Sequence, residues 1–414
     1  MSCSNQIELK LAVSQANTGA DAIKRAPIVE ENTGVRCLRI GDVSNNRNFE
    51  EWGFTSADED VIEKFQLKKD DIVIARTGNT IGVVKYIDKD IKSVYNNGLI
   101  RIKINENFNP KFIYYNLISE KFKSFIYGIS AGTSTQPNMK IDHMLQYKIT
   151  DFNIEEQEKI ANILSSLDDK IELNNEMNKT LEEMAQSIFE KWFVDFEFPN
   201  EDGQPYKSSG GEMVESELGM IPKGWEVKDL DEILDSISIK HKFPNEKIIF
   251  LNTSDILDGE VLHNNYSDVS SLPGQAKKSI QKGDILYSEI RPKNKRYTFI
   301  DFDADEYVVS TKLMVLRTKN KFNSSMMYFY LSNESTVNYL QTIAEGRSGT
   351  FPQITFNELK KLKICMPTND TIVELGKFFE NILKTINNNK KEAKQLKEMR
   401  DILLLKLMSG EIRV

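Results

Sequence analysis

The chain repeats itself at a separation of about 214 residues, and this duplication restricts its fold more than any other feature. FNPKFIYYNLISE (108–120) matches FNSSMMYFYLSNE (322–334) at an offset of 214, with Phe108/Phe322, Asn109/Asn323, Tyr114/Tyr328, Leu117/Leu331 and Glu120/Glu334 identical. VRCLRIGDV (35–43) lies against IIFLNTSDI (248–256), and KDDIVIA (69–75) against KGDILYS (282–288), both at 213. MKIDHMLQYKI (139–149) lies against ITFNELKKLKI (354–364) at 215. Asn162-Ile163-Leu164 recurs as Asn381-Ile382-Leu383, and LEEM (181–184) as LKEM (396–399). The common order and near-constant offset predict two copies of one fold.

Each copy opens with about 150 residues of short alternating segments such as DIVIA (71–75) and GLIRIKI (98–104). These are bounded by turn signals such as Thr77-Gly78-Asn79 and read as strands. Each copy then closes with a long helical pattern. In the first, from Ile154 to Phe193, residues Ile160, Leu164, Leu167, Ile171, Asn174, Asn178, Leu181, Ala185 and Ile188 recur at spacings of four and three. In the second, from Ile372 to Met408, the stripe is Leu375, Phe379, Ile382, Ile386, Asn389, Ala393, Leu396, Arg400 and Leu403. A stripe this narrow needs a partner, and the other helix is the obvious one; the alternative places each helix on its own domain with the Asn residues at a solvated edge. The expected fold is α+β: two similar α/β domains separated by two long antiparallel helices forming a coiled coil, with an internal pseudo-twofold repeat. The expected boundaries are 1–152, a central helix 153–195, a linker 196–221, a second domain 222–368 and a terminal helix 369–414.

A net charge of −8 by itself argues against a nucleic-acid partner. Residues 151–202, however, carry a net −11, which leaves +3 for the rest, so a local DNA-binding surface is allowed. The segment 370–414 is net +2, so pairing with the acidic helix is electrostatically allowed. Three dispersed cysteines (Cys3, Cys37, Cys365) argue against a disulfide framework or a zinc knuckle. With no signal-like amino terminus and no apolar run of membrane-spanning length, the chain is expected to be cytoplasmic, without a membrane partner. Two helices of about 40 residues give a rod of roughly 60 Å, and two similar modules held apart suit a ligand that repeats along an axis, such as duplex DNA.

SIFEKWFVDFEFP (187–199), LGMIPKGWEVKDLDEI (218–233) and LLLKLMSGEIRV (403–414) resemble signature stretches of the specificity subunit of type I restriction–modification enzymes. LKKDDIVIARTGNTIG (67–82) resembles the strand–turn segment of that family's first target-recognition domain. The resemblance spans nearly the whole chain. It implies a non-catalytic DNA reader in which each domain reads one half of a split sequence and the helices set the unread spacer. It further implies docking of two methyltransferase subunits, with two translocase–nuclease subunits added in the full complex. S-adenosylmethionine, ATP and Mg2+, and with them adenine methylation and ATP-driven cleavage, would belong to those partners, with no cofactor or metal in this chain.

The residues agree with that implication by what they lack. There is no Pro-Pro dipeptide for a base-holding methyltransferase loop and no Gly-x-x-x-x-Gly-Lys-Ser/Thr phosphate loop. His143, His241 and His263 are dispersed. Candidate DNA contacts are side chains able to reach base edges and phosphates. ARTGNT (75–80) offers Arg76, Thr77, Asn79 and Thr80, and IRPKNKR (290–296) offers Arg291, Lys293, Lys295 and Arg296. The matching loops 130–138 and 345–353 add Ser134, Gln136 and Asn138, and Arg347, Ser348 and Gln353. Each group also fits an ordinary surface turn. The aromatic cluster Phe189, Trp192, Phe193, Phe196 and Phe198 reads as core packing or as an anchor for a partner, and the polar stretch 201–216 as a mobile loop. A helical scaffold without DNA specificity is the competing function.

Overall fold

The computed structural model describes residues 5–130, 138–319, 322–347, 350–367 and 371–414. The chain divides into two units, Met1–Leu173 with Ala393–Val414, and Asn174–Glu392.

Unit 1 contains two four-stranded sheets. In one, Leu99–Ile104 and Ile72–Ala75 lie at the centre between Val13–Thr18 and Val84–Tyr86, all antiparallel. In the other, Arg36–Leu38 pairs parallel with Ser93–Tyr95 and antiparallel with Gly53–Thr55. Unit 2 repeats the first sheet in full and three strands of the second. Its fourth strand there, Ala276–Ser279, lies beside Tyr307–Ser310, whereas in unit 1 Ile28–Val29 lies beside Gly53–Thr55. Leu313–Thr318 and Ile285–Ser288 are flanked by Leu234–Ile237 and Tyr297–Phe299, and Lys247–Leu251 pairs parallel with Tyr307–Ser310. The central strands read IVIA and ILYS, buried at every position, as β-rich segments covered on both faces must be.

The helices after these sheets are capped alike. Asn109 Oδ1 accepts from Phe112 N at 3.0 Å, and Asn323 Oδ1 from Met326 N at 3.0 Å. A two-stranded ladder then closes each unit: Gln6–Glu8 with Lys148–Thr150, and Trp225–Asp229 with Lys363–Pro367. The duplication is therefore one of topology and register as well as of letters.

The long helices span Ile154–Phe193 and Thr371–Ser409, and within each unit their halves run antiparallel. In unit 1, Ile160 and Leu164 share a core with Leu404 and Leu407, and Arg400 Nη1 lies 2.6 Å from Asp168 Oδ1. In unit 2, Leu375, Phe379, Ile382 and Ile386 share a core with Phe189 and Phe193, with Leu181 and Ile188 packed against it. Leu167, Ile171 and Leu396 are half-buried.

The seam departs from the expected stripe at its ends. Ile188 and Leu403 are only half-buried, and the next residues, Phe189 and Leu404, are buried instead. The cause is helical drift. A strict heptad slips about 20° per repeat on a straight α-helix, so after four heptads the buried face has moved by nearly one residue.

Polar residues sit in mid-seam. Asn174 Nδ2 donates to Glu392 Oε2 at 2.8 Å, and Asn389 Nδ2 to Asn178 Oδ1 at 2.9 Å, while the buried Asn174 Oδ1 has no hydrogen-bond partner among the described residues. Asn178→Leu alone should destabilise unit 2 by about 1–3 kcal/mol, because the Asn389 amide loses its acceptor. Adding Asn389→Leu should recover most of that loss, giving a clear coupling energy in a double-mutant cycle by urea denaturation. Additive losses would show that the pair does not interact.

One expectation changes between residues 196 and 221, and the core reading of the aromatic cluster holds. The stretch read as a mobile loop is held by structure: Met213–Ser216 pairs with Gly219–Pro222, and the Tyr206 ring stacks on Phe198 at 4.7 Å. Glu197 accepts from Ser208 N and Oγ at 3.1 and 2.9 Å, which holds its carboxyl below the usual range. Glycine and serine here build tight turns rather than slack. The aromatic cluster is core: Phe189, Phe193 and Phe198 are buried, with Trp192 and Phe196 packed against them.

Candidate nucleic-acid interface

In each unit a fully buried strand delivers the chain into a polar turn, and the second candidate loop comes to meet it. In unit 1 the strand Ile72–Ala75 runs into Arg76–Thr80, which turns through Gly78 at φ 77° and returns through Gly82 at φ 84°. Both values lie where a side chain is disfavoured. Thr77 forms a short antiparallel bridge with Asn138, and Met139 N donates to Arg76 O at 2.9 Å. Arg76 Nε and Nη2 both donate to Asn138 Oδ1, at 3.3 and 3.1 Å. Asn79 is exposed at the apex, while Thr77 and Thr80 are half-buried beside it.

Unit 2 builds the same junction. Ile290 bridges to Gln353, and Ile354 N donates to Glu289 O at 2.9 Å. These bonds align Arg76 with Glu289, so Arg291 stands two residues beyond Arg76's counterpart. Sequence similarity alone placed the two basic turns only approximately. Here the backbone is forced: Arg291 and Lys295 adopt φ of 44° and 52° around the short turn Pro292–Asn294. Left-handed backbone costs a non-glycine residue about 1–2 kcal/mol, so surrounding bonds must hold it. They do: Arg291 N donates to Pro352 O at 3.1 Å, and Lys293 N to Gln341 Oε1 at 3.1 Å.

The basic side chains of unit 2 separate into two groups. Arg296 Nη1 donates to Ser254 O and Ile256 O at 3.1 and 2.9 Å, and Lys295 Nζ pairs with Asp258 at 3.3 Å. Arg347 Nη1 pairs with Glu358 Oε2 at 2.6 Å. Arg291 and Lys293 are exposed, and Arg291's guanidinium touches only a carbonyl, Thr350 O at 3.4 Å, among the bonds given by the described residues. Gln353 is half-buried at the bridge. Ser134, Gln136 and Ser348 lie outside the described residues. Reading the sequence missed Gln341, Asp258 and Glu358, which shape or pair the turn, because nothing at their positions marks them out before the chain is folded.

Glu358 couples the second loop to pH. Burial pushes its carboxyl up, but bonds from Thr355 Oγ1 and N at 2.7 and 2.8 Å, and the Arg347 charge, outweigh burial and leave it below the usual range. A depressed carboxylate stabilises the fold above its unfolded value and loses that contribution as pH falls through the folded one. Acidification through that depressed value, which lies below the ordinary glutamate value of about 4.3, should therefore release Arg347 and fray the turn at Thr355. Protection of the Thr355 amide, relative to its intrinsic exchange rate at each pH, should fall there and, in Glu358→Gln, should already be low at neutral pH. Exchange unchanged by the substitution would reject the coupling.

Among the described residues no group of three or more His, Cys, Asp or Glu is placed to hold a metal, and no helix is long and apolar enough to cross a membrane. Cys37 is buried, and burial pushes its thiol up to about 12. The junctions offer hydrogen-bond donors, acceptors and cations in a polar setting, a chemistry of recognition.

The model of the type I restriction modification DNA specificity domain matches twice, over residues 16–183 and 222–398. The chain is 47% identical over 151 residues to the type I restriction enzyme HindI specificity subunit of Haemophilus influenzae, a stretch covering 36% of this chain and 32% of that relative. It is 27% identical over 332 residues to the MjaIX specificity subunit of Methanocaldococcus jannaschii, covering 77% and 73% of the two chains. The fold matches the crystal structure of a type I restriction–modification S subunit from M. genitalium with a TM-score of 0.61 at 17% identity, covering 99% and 97%.

Proposed function

Because the chain belongs to the family of type I restriction modification DNA specificity domains, we propose that it is the non-catalytic DNA reader of such a system. In this reading each unit recognises one half of a split DNA sequence through its turn–loop junction, and the helices keep the halves at a set separation. Two methyltransferase subunits dock on the chain, and two translocase–nuclease subunits complete the assembly. S-adenosylmethionine, ATP and Mg2+ act on those chains.

One observation carries the reading: a single backbone junction is built twice and furnished differently, with Arg76, Asn79 and Asn138 in one unit and Arg291, Lys293 and Gln353 in the other. Arg and Asn or Gln carry the bidentate donor patterns that discriminate guanine and adenine edges, so two junctions with different side chains read different bases. Arg291→Ala should weaken specific binding by about 1–3 kcal/mol and relax preference in one half-site, while Lys293→Ala should lower the salt slope by about one counterion. Titrating the complex of chain and methyltransferase with DNA at several salt concentrations tests both. Salt-independent binding, or none, would remove DNA reading and leave a scaffold.

A further inference from the structure

The large apolar side chain with the greatest exposure among the described residues is Ile23, at 84%. It stands in a tight turn whose two feet, Ala20 and Ala26, are buried. Asp21 builds that turn: its Oδ1 accepts from Ile23 N at 3.0 Å and Lys24 N at 2.8 Å, and its carbonyl from Arg25 N and Ala26 N, both at 3.0 Å. The amides of Lys24 and Ile23 hold the Asp21 carboxyl below its usual range. Lys24 and Arg25, next to Ile23, are exposed. An isoleucine held out in water adds little to the fold, because its apolar surface stays hydrated.

Sheet geometry places this turn beside the recognition turn of unit 1. Thr18 pairs with Ile100 and Ala75 with Leu99, so Val13–Thr18 and Ile72–Ala75 both end against the first residues of strand Leu99–Ile104. The Ile23 turn and the Arg76–Thr80 turn therefore leave one end of one sheet with a single strand between them. Two strand spacings are about 10 Å, the length of about three base pairs. Backbone bonds fix that separation: Asn97 N donates to Ala20 O at 2.8 Å, and Arg76 N to Gly98 O at 3.0 Å.

Unit 2 reaches the same arrangement on a differently built connection. Ile237 pairs with Val315 and Ser288 with Leu313, so again two strands end against one central strand. Two residues beyond Ile237, Ile239 is 55% exposed, with Lys240 and Lys242 exposed beside it. Its backbone is pinned: Ser279 N donates to Ile239 O at 2.9 Å and His241 N to Lys277 O at 2.8 Å, while the buried His241 ring sets Nδ1 3.0 Å from Ser279 Oγ. Each reader thus holds out one isoleucine with adjacent cations, at the sheet end that carries its basic turn. We propose that Ile23 and Ile239 are wedges that enter the DNA minor groove beside their half-sites and part a base step, with Lys24, Arg25, Lys240 and Lys242 on the flanking phosphates. The proposal rests on the DNA-reading function and adds a kink to it. Apolar side chains that part a base step bend the duplex toward the major groove, the groove in which Arg76 and Arg291 meet base edges.

The test uses the complex of chain and methyltransferase on a duplex carrying the split sequence found by methylation mapping, labelled at both ends for energy transfer. Wild type should bend this duplex by at least about 20°. Ile23→Ala and Ile239→Ala should each reduce the bend and weaken binding about tenfold, and together they should abolish the bend. Ile23→Met should keep most of it. Thermal melting should match wild type throughout, since both side chains lie mostly in water. In Ile23→Ala, a single mismatch at the wedged step should restore affinity, because an unpaired step opens without help. A straight duplex in the wild-type complex, a bend unchanged in both alanine variants, or lost binding that no mismatch position restores would each overturn the wedge and leave DNA reading standing. No salt-dependent DNA binding by wild type would remove both together.

Discussion

Replacing Phe379 with alanine is expected to cost unit 2 about 3–5 kcal/mol, the range for a large aromatic removed from a packed core. Phe379 is fully buried and meets five rings: Phe189, Trp192, Phe193, Phe329 and Phe378, at centroid distances from 5.4 to 6.3 Å. Three of those rings come from the central helix and one from the helix Ser324–Ser332, so the side chain ties three elements together. No single neighbour can move to fill the space, which places the loss at the upper end. Hydrogen exchange read peptide by peptide should show protection falling across unit 2 while the strands of unit 1 keep theirs. A loss under about 1.5 kcal/mol would mean that the ring cluster relaxes freely, contrary to close packing.

Asp284→Ala should be nearly as costly, about 3 kcal/mol, and for a different reason. The Asp284 side chain is fully buried, receives a two-pronged bond from Arg317 at 2.7 and 2.9 Å, and accepts from Gln281 N at 2.8 Å. Removing it strands a guanidinium and frees the turn that starts strand Ile285–Ser288, the strand that leads into the basic turn around Pro292–Asn294. Arg317 keeps 27% of its side-chain surface, so water recovers part of the loss. The duplicated position provides the control. Asp71 lies 3.8 Å from Arg101, which also donates to Gln66 O at 2.8 Å and Asn17 Oδ1 at 3.3 Å. Burial pushes the Asp71 carboxyl up, as befits a weaker pairing. Asp71→Ala should therefore cost less than Asp284→Ala in matched urea titrations. The reverse order would contradict the assignment of these pairs.

The elements easiest to read in advance were those governed by long periodicity or by duplication. The helix expected from Ile154 to Phe193 has those bounds, and the buried strands at DIVIA and GLIRIKI lie where alternation places them. Ile188 and Leu403 pack against their cores as expected but only half-buried, with Phe189 and Leu404 buried beyond them, because a heptad count ignores the drift of a straight helix. The stretch 201–216 was misjudged because its order comes from Tyr206 on Phe198 and from a short hairpin, contacts that composition does not record. At the candidate site, Arg76 and Asn138 could be nominated separately, but their mutual bond required the fold. That Arg296 and Arg347 are engaged by Ser254, Ile256 and Glu358 depends on partners about 11 to 42 residues away, beyond any local pattern.

The central claim is that two copies of one reader each supply half of a DNA address. Mapping of methylated bases, with the chain assembled on its methyltransferase, tests it most directly when wild type is set beside Arg76→Ala/Asn138→Ala. Two short sequences parted by a fixed unread interval are expected, with the double substitution relaxing one and leaving the other unchanged. A single unbroken sequence, or loss of preference in both halves together, would contradict it.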